Sequence, residues 1–323
     1  MEKEAAPRNR TLRVKKDEEA VYASRIIRLE RESKLEEVID RTINQDINEA
    51  AAFLPKGFID LLIIDPPYNM DKQFNSTAFT KMDQAVYASW LESWLTKMLP
   101  LLKKTASVYI CSEWGTSPIV QQIGGKYLKL RNRITWEREK GRGALSNWKN
   151  TSEDILFFTA SNEYTFNARD VMMKRKVIAP YRDDLGAPKD WEESRDGKYR
   201  TTYPSNLWTD ITVPFWSMPE NTCHPTQKPE KLIAKLILAS SNRDDIVFDP
   251  FLGSGTTSGV AKKLGRHYIG VEIDRDYCLL AEKRLALADT DKTIQGYHEG
   301  VFWERNTFNE RIADRRKKDI LIK

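Results

Sequence analysis

The sequence predicts an α/β protein whose sheet is doubly wound and mostly parallel, with one irregular insertion. Apart from Asp60, residues 59–64 and 246–248 are apolar runs, which are typical of strands covered on both faces of a parallel sheet. The second run leads into a glycine-rich turn and then a helical pattern over residues 256–264. From about residue 141 to 222 regular periodicity fades while Trp, Tyr and Pro become frequent. An interrupted alternation of strands and helices is the pattern of an α/β fold.

The remaining elements follow in chain order around these landmarks. The charged segment 18–39 is predicted to be a helix with little apolar face, and an aromatic-rich helix contains Tyr87, Trp90 and Trp94. The other predicted elements are strands at 107–111, 130–136 and 268–271 and a helix at 229–240.

These elements predict five segments. They are a basic N-terminal arm and helix (1–39), a first half of the α/β domain (40–140), the insertion (141–222), a second half (223–290) and a basic C-terminal extension (291–323).

Composition excludes several classes of protein. The chain has 323 residues, of which 40% are hydrophobic, enough for one large α/β domain and a smaller appended one. No apolar stretch approaches the length of a membrane span, and residues 1–17 are charged rather than signal-like. The three cysteines lie far apart and only three histidines occur. We therefore expect no disulfide framework, no zinc site and a reducing cytoplasm.

Positive charge is concentrated in one internal stretch. The net charge is +5, but between residues 126 and 149 eight Lys or Arg stand against two Glu. Such a stretch favours a polyanionic partner, because neutralising phosphates releases counterions. The basic residues of the C-terminal tail, Arg311 to Lys318, are interpreted as a solvated face.

The glycine-rich turn indicates a nucleotide-like ligand without a pyrophosphate. Gly253-Ser254-Gly255 follows a strand and opens a helix, which is the context that a nucleotide-binding turn requires. A Gly-Lys-Ser/Thr phosphate loop is absent, and Ser258 occupies the place of the third glycine of a dinucleotide fingerprint. Glu272 ends the next strand, where acidic side chains bind ribose hydroxyls.

A second polar group follows the first strand. Asp65-Pro66-Pro67-Tyr68 stands at the carboxyl edge, where open α/β sheets bind ligands. A carboxylate next to a rigid, outward carbonyl offers two acceptors for the hydrogens of an NH2 group, and Tyr68 offers a flat face for stacking. The alternative is a strand-ending turn with a surface aromatic residue.

Three ordered motifs carry a resemblance to a family. Asp65-Pro66-Pro67-Tyr68-Asn69, His224-Pro225-Thr226-Gln227-Lys228-Pro229 and the segment 249–256 (DPFLGSGT) together resemble the amino-DNA methyltransferases of bacterial restriction–modification systems. The order, with the catalytic tetrapeptide before the cofactor turn, is that of the β class. The resemblance covers about residues 40–290 and implies a Rossmann-like, S-adenosylmethionine-dependent fold.

The resemblance implies a role for individual residues. Asp65 and the Pro66 carbonyl, with Pro67 fixing the turn, would hold the target amine, and Tyr68 would stack on the flipped base. The cofactor S-adenosylmethionine would be bound by Asp46 at its adenine, by Glu272 at its ribose, by Thr226 and Lys228 near its carboxylate, and by Asp249, Phe251, Gly253 and Gly255 around its methionine part.

The resemblance also implies a substrate, partners and a location. We expect methylation of adenine N6 in double-stranded DNA after base flipping, in a bacterial cytoplasm, with a cognate restriction endonuclease and a homodimer as candidate partners. Methylation of cytosine N4 remains an alternative, although those enzymes often have Ser at position 65. Further alternatives are a catalytically silent DNA-binding relative and an RNA or protein amide methyltransferase, which usually has Asn there.

The DNA-reading part is expected in the insertion at 141–222. Candidate contacts near its start are Arg138, Lys140, Arg142, Asn147 and Lys149, since Arg and Lys suit guanine edges or phosphates and Asn suits adenine. Trp136 is either a wall of the base pocket or an ordinary core residue.

Overall fold

A computed structural model describes residues 7–75, 78–138, 145–177, 181–194 and 197–305. The chain divides into two compact units. The main unit comprises residues up to Phe166 together with Asn206–Lys292, and the small unit comprises Asn167–Ser205 together with the residues from Thr293 onward.

The strands are, in chain order, β1 (Ile26–Ile27), β2 (Arg41–Asn44), β3 (Ile59–Ile64), β4 (Lys72–Gln73), β5 (Ala78–Phe79), β6 (Leu102–Glu113), β7 (Lys129–Glu137), β8 (Ser152–Thr159), β9 (Met173–Lys176), β10 (Glu192–Ser194), β11 (Gly197–Thr202), β12 (Leu207–Trp208), β13 (Ile246–Asp249), β14 (His267–Glu272), β15 (Tyr297–His298) and β16 (Val301–Trp303). The helices are α1 (Glu19–Ala23), α2 (Leu35–Val38), α3 (Ile47–Ala50), α4 (Gln84–Met98), α5 (Ser117–Tyr127), α6 (Glu230–Ser240), α7 (Thr256–Lys263) and α8 (Arg275–Thr290), with 3₁₀ turns at Leu99–Leu101 and Ala168–Val171.

The main unit is built on one large, mostly parallel sheet. Its strand order is β1-β2-β14-β13-β3-β6-β8-β7-β12, and only the β6–β8 and β7–β8 pairs are antiparallel. The fold class predicted from the sequence is confirmed. Because β3, β13 and β14 are adjacent and parallel, their carboxyl ends lie side by side at one edge of the sheet.

The core explains why the apolar runs form strands. Ile59, Leu61 and Leu62 of β3 are fully buried, as expected for a central parallel strand. The single acid of that strand, Asp60, is bound by the Lys103 ammonium at 2.7 Å. Helix α4 buries one face, which includes Trp94, against this core.

The predicted helix over residues 18–39 is wrong. The structure has five-residue α1, strand β1 and four-residue α2 in its place. A helix without an apolar face gains little from packing, and helix nucleation is costly, so only single turns form here.

The predicted insertion at 141–222 is also divided differently. β8 reads SEDILFFT and inserts between β6 and β7 of the main sheet, and residues 206–222 return to the main unit. β8 pairs antiparallel with both of its neighbours. The irregular composition of residues 141–222 gave no indication that a strand of the main sheet lies within them.

The C-terminal segment is likewise not a separate extension where it is described. In the small unit, β16 pairs with β9 in a sheet of order β10-β11-β9-β16-β15. Trp303 is buried there with Tyr199 edge-on at 5.4 Å between ring centres. These aromatic residues form part of a small core.

Among the described residues, no helix combines the length and the apolar character that crossing a membrane would require.

Candidate active site

A cavity lies at the carboxyl ends of β3, β13 and β14. It is lined by Asp65–Tyr68 after β3, by residues 249–254 around the end of β13, and by residues 271–274 around the end of β14. The predicted catalytic and cofactor motifs are therefore brought to one cavity by the sheet topology. Thr226 and Lys228, which precede α6, line the same space.

The glycines of the turn are required by the close packing of α8 as well as by the cavity. Gly255 has φ +80°, and a Cβ there would lie 2.5 Å from the Cβ of Ala281 in α8. Gly253 has φ +53°, and a Cβ there would lie 3.0 Å from Nε2 of His224. A side chain at Gly255 would push the turn away from α8, so this glycine holds the helix close. Gly253 itself lines the cavity.

Glu272 is oriented by the backbone around it. One carboxylate oxygen accepts a hydrogen bond from Gly253 N at 2.8 Å, and the other accepts from Asp274 N at 2.8 Å. Burial raises its pKa even though both backbone bonds oppose that rise. A carboxylate fixed in this way keeps further lone pairs for hydroxyl donors at the cavity wall.

Asp249 ends β13 with its carboxyl turned back onto the turn. Its Oδ1 accepts from Phe251 N at 3.0 Å. Burial raises its pKa to about 7. Asp249 is therefore divided between its neutral and charged forms near neutral pH.

The other predicted cofactor residues lie along the same cavity. Asp46 caps the amino end of α3, where its Oδ1 accepts from Asn48 N at 2.6 Å. Phe251 packs edge-on against Trp94 with 5.1 Å between ring centres. The wall thus combines carboxylates with apolar groups, among them Phe251, Ile47 and Val271.

The second half of the cavity is a charged cluster at Asp65. The Lys228 ammonium donates to both Asp65 carboxylate oxygens at 2.7 Å and lies 3.3 Å from Oε2 of Glu153. The Tyr68 hydroxyl lies 3.0 Å from Asp65 Oδ1 and 3.1 Å from Glu153 Oε2, so its one proton can bind either carboxylate. Arg138 binds the other Glu153 oxygen at 2.5 Å.

The electrostatics of the cluster follow from burial and pairing. Burial raises the pKa of Asp65, with Lys228 opposing that rise. Burial alone would lower the pKa of Lys228, but Asp65 and Glu153 raise it above its usual value. Lys228 is therefore a fixed cation at the catalytic tetrapeptide.

The two prolines of the tetrapeptide have different surroundings. The carbonyl of Pro67 accepts from the Tyr87 hydroxyl at 3.1 Å, which ties the turn to α4. Pro66 lines the cavity next to Asp65.

The predicted DNA contacts that the structure describes have different surroundings. Arg138 is engaged by Glu153, whereas Asn147 and Lys149 are exposed between β7 and β8. Lys140 and Arg142 lie outside the described residues. Trp136 is buried, and its indole donates to the Ile211 carbonyl at 3.0 Å, so the structure favours the core interpretation for this residue.

The family model for DNA methylases matches residues 59–283, which span β3, the Asp65 cluster and the glycine turn. The chain belongs to this family. Two similar relatives support the match. DNA adenine methyltransferase YhdJ of Escherichia coli K12 is 32% identical over 242 residues, which cover 73% of this chain and 79% of that protein. Type II methyltransferase M.HpaI of Haemophilus parainfluenzae is 33% identical over 250 residues, covering 76% of this chain and 74% of that protein.

Solved structures share the fold of this methylase. The cytosine-N4-specific PvuII DNA methyltransferase superimposes with a TM-score of 0.56 at 15% identity, covering 85% of this chain and 92% of its own. A DNA modification methylase of Thermus thermophilus, solved with S-adenosyl-L-methionine, gives 0.54 at 20% identity, covering 82% and 98%.

Sequence reasoning missed Glu153 in this methylase. A signal was present, since the acids Glu153 and Asp154 stand directly before the apolar run 155–158. An acid at the end of a buried strand is informative, because buried charges are paired. Because β8 is antiparallel to β6, the amino end of β8 lies beside the carboxyl end of β6. Glu153 is therefore at the sheet edge where the cavity lies.

Proposed function

We propose that this protein transfers a methyl group from S-adenosylmethionine to the N6 amino group of adenine in duplex DNA. The observation that supports this most strongly is that Asp65 and Glu272, which end separate strands, line a single cavity. One carboxylate is suited to an amine and the other to ribose hydroxyls. Family membership supplies the reaction type.

The residues present fit the cofactor. S-adenosylmethionine carries an ammonium, a sulfonium, ribose hydroxyls and an adenine amine, all of which are cations or hydrogen-bond donors. The wall offers the carboxyl groups of Asp46, Asp249 and Glu272 together with the ring of Phe251. When bound, the cofactor supplies the electrophilic methyl group for an in-line displacement. Thr226 lines the same cavity and remains a proposed contact of the carboxylate part.

Asp65 and Pro66 would prepare the nucleophile. An amine attached to a base ring is a weak nucleophile, because its lone pair is delocalised into the ring. Acceptors on both N–H groups favour a pyramidal nitrogen with its lone pair directed away from the ring plane. Catalysis then rests on positioning and electrostatics, with no covalent enzyme intermediate.

The choice of adenine over cytosine rests on Asp65 and on the relatives. A relative named as a DNA adenine methyltransferase is 32% identical, whereas the cytosine-N4-specific structure is 15% identical and supports the fold alone. Cytosine N4 carries the same kind of amine and remains the second candidate, because the cavity chemistry suits both.

We place the DNA next to the segment between β7 and β8. The target base must leave the duplex, at a cost of a few kcal/mol, to reach a cavity at the sheet edge. Arg138 follows β7 at the start of this segment and Glu153 lies near the start of β8 after it, while Asn147 and Lys149 are exposed within it. Target recognition by residues of the 141–222 segment, a cognate restriction endonuclease and a homodimer are parts of the same proposal.

The experiment is transfer of tritium from methyl-labelled S-adenosylmethionine. Genomic duplex DNA, total RNA and casein are incubated separately with the purified protein. We expect label in the DNA alone. Label in RNA or casein would show that the substrate is not DNA. Cofactor binding without label in any of the three polymers would indicate a catalytically silent relative.

A further inference from the structure

Five side chains form one hydrogen-bonded group, the Asp65 cluster: Asp65, Tyr68, Arg138, Glu153 and Lys228. They come from the ends of β3, β7 and β8 and from the segment before α6. Lys228 stands between the two carboxylates, 2.7 Å from Asp65 and 3.3 Å from Glu153. The cluster contains two anions and two cations, so its charges balance.

The Asp65 carboxylate is already engaged on both oxygens. Lys228 donates to each of them, and the Tyr68 hydroxyl is within hydrogen-bond distance of Oδ1. These contacts use up to three of the roughly four lone-pair positions of the carboxylate. A target amine that binds Asp65 therefore competes with Lys228 for the carboxylate, and its binding is favoured when Lys228 moves towards another acceptor.

Glu153 is the group that can receive Lys228. Its side chain is 5% exposed, and its far oxygen is held by Arg138, which leaves Oε2 facing Lys228 and Tyr68. Burial alone would raise the pKa of Glu153, but Lys228 and Arg138 hold it below its usual value. In the described part of the chain, the ion pairs of Lys228 are with Asp65 and Glu153.

We propose that Glu153 is a positioning residue that takes the Lys228 ammonium when the target amine binds Asp65. This inference rests on the proposed function. The exchange keeps the buried ammonium paired throughout, whereas simply breaking the Asp65–Lys228 pair would leave a buried charge without a partner, which is strongly unfavourable. Glu153 acts through Lys228 and does not touch the base.

The test begins with Glu153→Gln, which keeps the shape and removes the charge. We expect the single-turnover rate of DNA methylation to fall about tenfold or more, within the coupling measured for members of one hydrogen-bonded network. The dissociation constant for S-adenosylmethionine should stay within about twofold, as in a variant that folds normally. Glu153→Asp keeps the charge and should recover part of the rate. A Glu153→Gln rate equal to wild type overturns the inference.

A pH profile separates positioning from a structural role. The negative charge of Glu153 adds to the rise in the Asp65 pKa that burial causes and Lys228 opposes. Removing that charge lowers the Asp65 pKa, so the acid limb of the rate should move to lower pH in Glu153→Gln. A lower plateau with an unmoved limb would indicate structural damage and would contradict the inference.

A double-mutant cycle with Lys228→Met tests whether Glu153 acts through Lys228. In the Lys228→Met background, Glu153→Gln should change the remaining single-turnover rate by less than about threefold, because the coupling partner is gone. An equal fall in both backgrounds overturns the inference. If wild-type protein methylates no DNA, the proposed function fails first. If wild type is active and the cycle is additive, only the present inference fails.

Discussion

Carboxyl groups of the same type behave differently at this sheet edge because their neighbours differ. Asp249 is buried without a cation among its main influences, and burial raises its pKa to about 7. Asp65 is bound by Lys228, and Glu153 by Lys228 and Arg138. Burial raises the pKa of both Asp65 and Asp249, but only Asp65 has a cation, Lys228, that opposes the rise.

Replacing Asp65 with Ala should remove nearly all methyl transfer and leave cofactor binding largely intact, because the target amine loses its acceptor. Turnover on duplex DNA and calorimetric titration with S-adenosylmethionine measure the two effects. Asp60→Ala is the control, since Asp60 lies in β3 shortly before Asp65 and binds Lys103 outside the cavity. Wild-type turnover by the Asp65 variant would show that the catalytic assignment is wrong.

Replacing Glu272 with Ala should weaken S-adenosylmethionine binding by about 1–3 kcal/mol, the cost of leaving buried polar partners unpaired. The loss also frees the Gly253 and Asp274 N–H groups, which now hold the turn. Calorimetry gives the dissociation constant, and Glu272→Gln, which keeps an acceptor, should lose less. Unchanged affinity in the Ala variant would reduce Glu272 to a structural strand end.

The raised pKa of Asp249 predicts a pH dependence of stability. Burial raises it from 3.8 to about 7, so between those values the folded state binds more protons than the unfolded state. Wild type should therefore lose stability relative to Asp249→Asn as pH rises from about 4 to 7, by up to roughly 4 kcal/mol at 1.36 kcal/mol per pKa unit. Urea unfolding across this range measures the difference, and a constant difference would refute the raised pKa.

Among the helices and strands, the local sequence predicted those whose apolar pattern agrees with their packing. It failed for those whose structure depends on contacts with distant segments. β3, β13 and α7 were predictable because their apolar pattern and the glycine turn agree with their burial. β8 was missed because its short apolar run, residues 155–158, lies within a segment whose overall composition indicates irregular structure. For residues 18–39 a single long helix was predicted, but a segment that lacks an apolar face to pack forms only single helical turns.

The packing role of Gly255 gives a test at this scale. Gly255→Ala places a Cβ 2.5 Å from Ala281 at φ +80°, so we expect a loss of about 2 kcal/mol or more, beyond the usual backbone effect. Gly125→Ala is the control, because it lies within α5 and its Cβ would meet nothing within 4 Å. That change should stabilise by about 0.5–1 kcal/mol. Urea unfolding distinguishes them, and similar effects would contradict the packing account.

On the scale of the whole molecule, motif order predicted the cavity but not the division into units. Residues 65, 249 and 272 converge because parallel strands share one carboxyl edge, a rule that needs no coordinates. The small unit joins residues 167–205 to residues from 293 onward, a pairing of distant segments that local patterns do not encode. Glu153 was missed for the same reason, since its role depends on which strands are neighbours.

The basic stretch yields a prediction for the DNA-binding surface. Removing charge at Lys149, with Lys140 and Arg142, should weaken DNA binding and spare cofactor binding. A substitution that removes a cation from a phosphate should lower the salt slope by about one unit on all sequences, whereas one that removes a base-reading side chain should relax specificity at one position by about 1–3 kcal/mol. Affinity against salt for specific and scrambled duplexes separates these outcomes.

Lys104→Ala is the control for that series, because Lys104 is exposed near the amino end of β6, away from the cavity. It should leave both affinity and salt slope unchanged. If the three substitutions behave like this control, the basic stretch is only a solvated face and the DNA binds elsewhere.

The identity of the methylated nucleoside tests the central claim most directly. Duplex DNA is incubated with the protein and S-adenosylmethionine carrying a ¹³C-methyl group, digested to nucleosides and analysed by mass spectrometry beside an Asp65→Ala reaction. We predict labelled N6-methyldeoxyadenosine with wild type and none with the variant. Labelled N4-methyldeoxycytidine in its place, or label that persists in the Asp65→Ala reaction, would contradict the account.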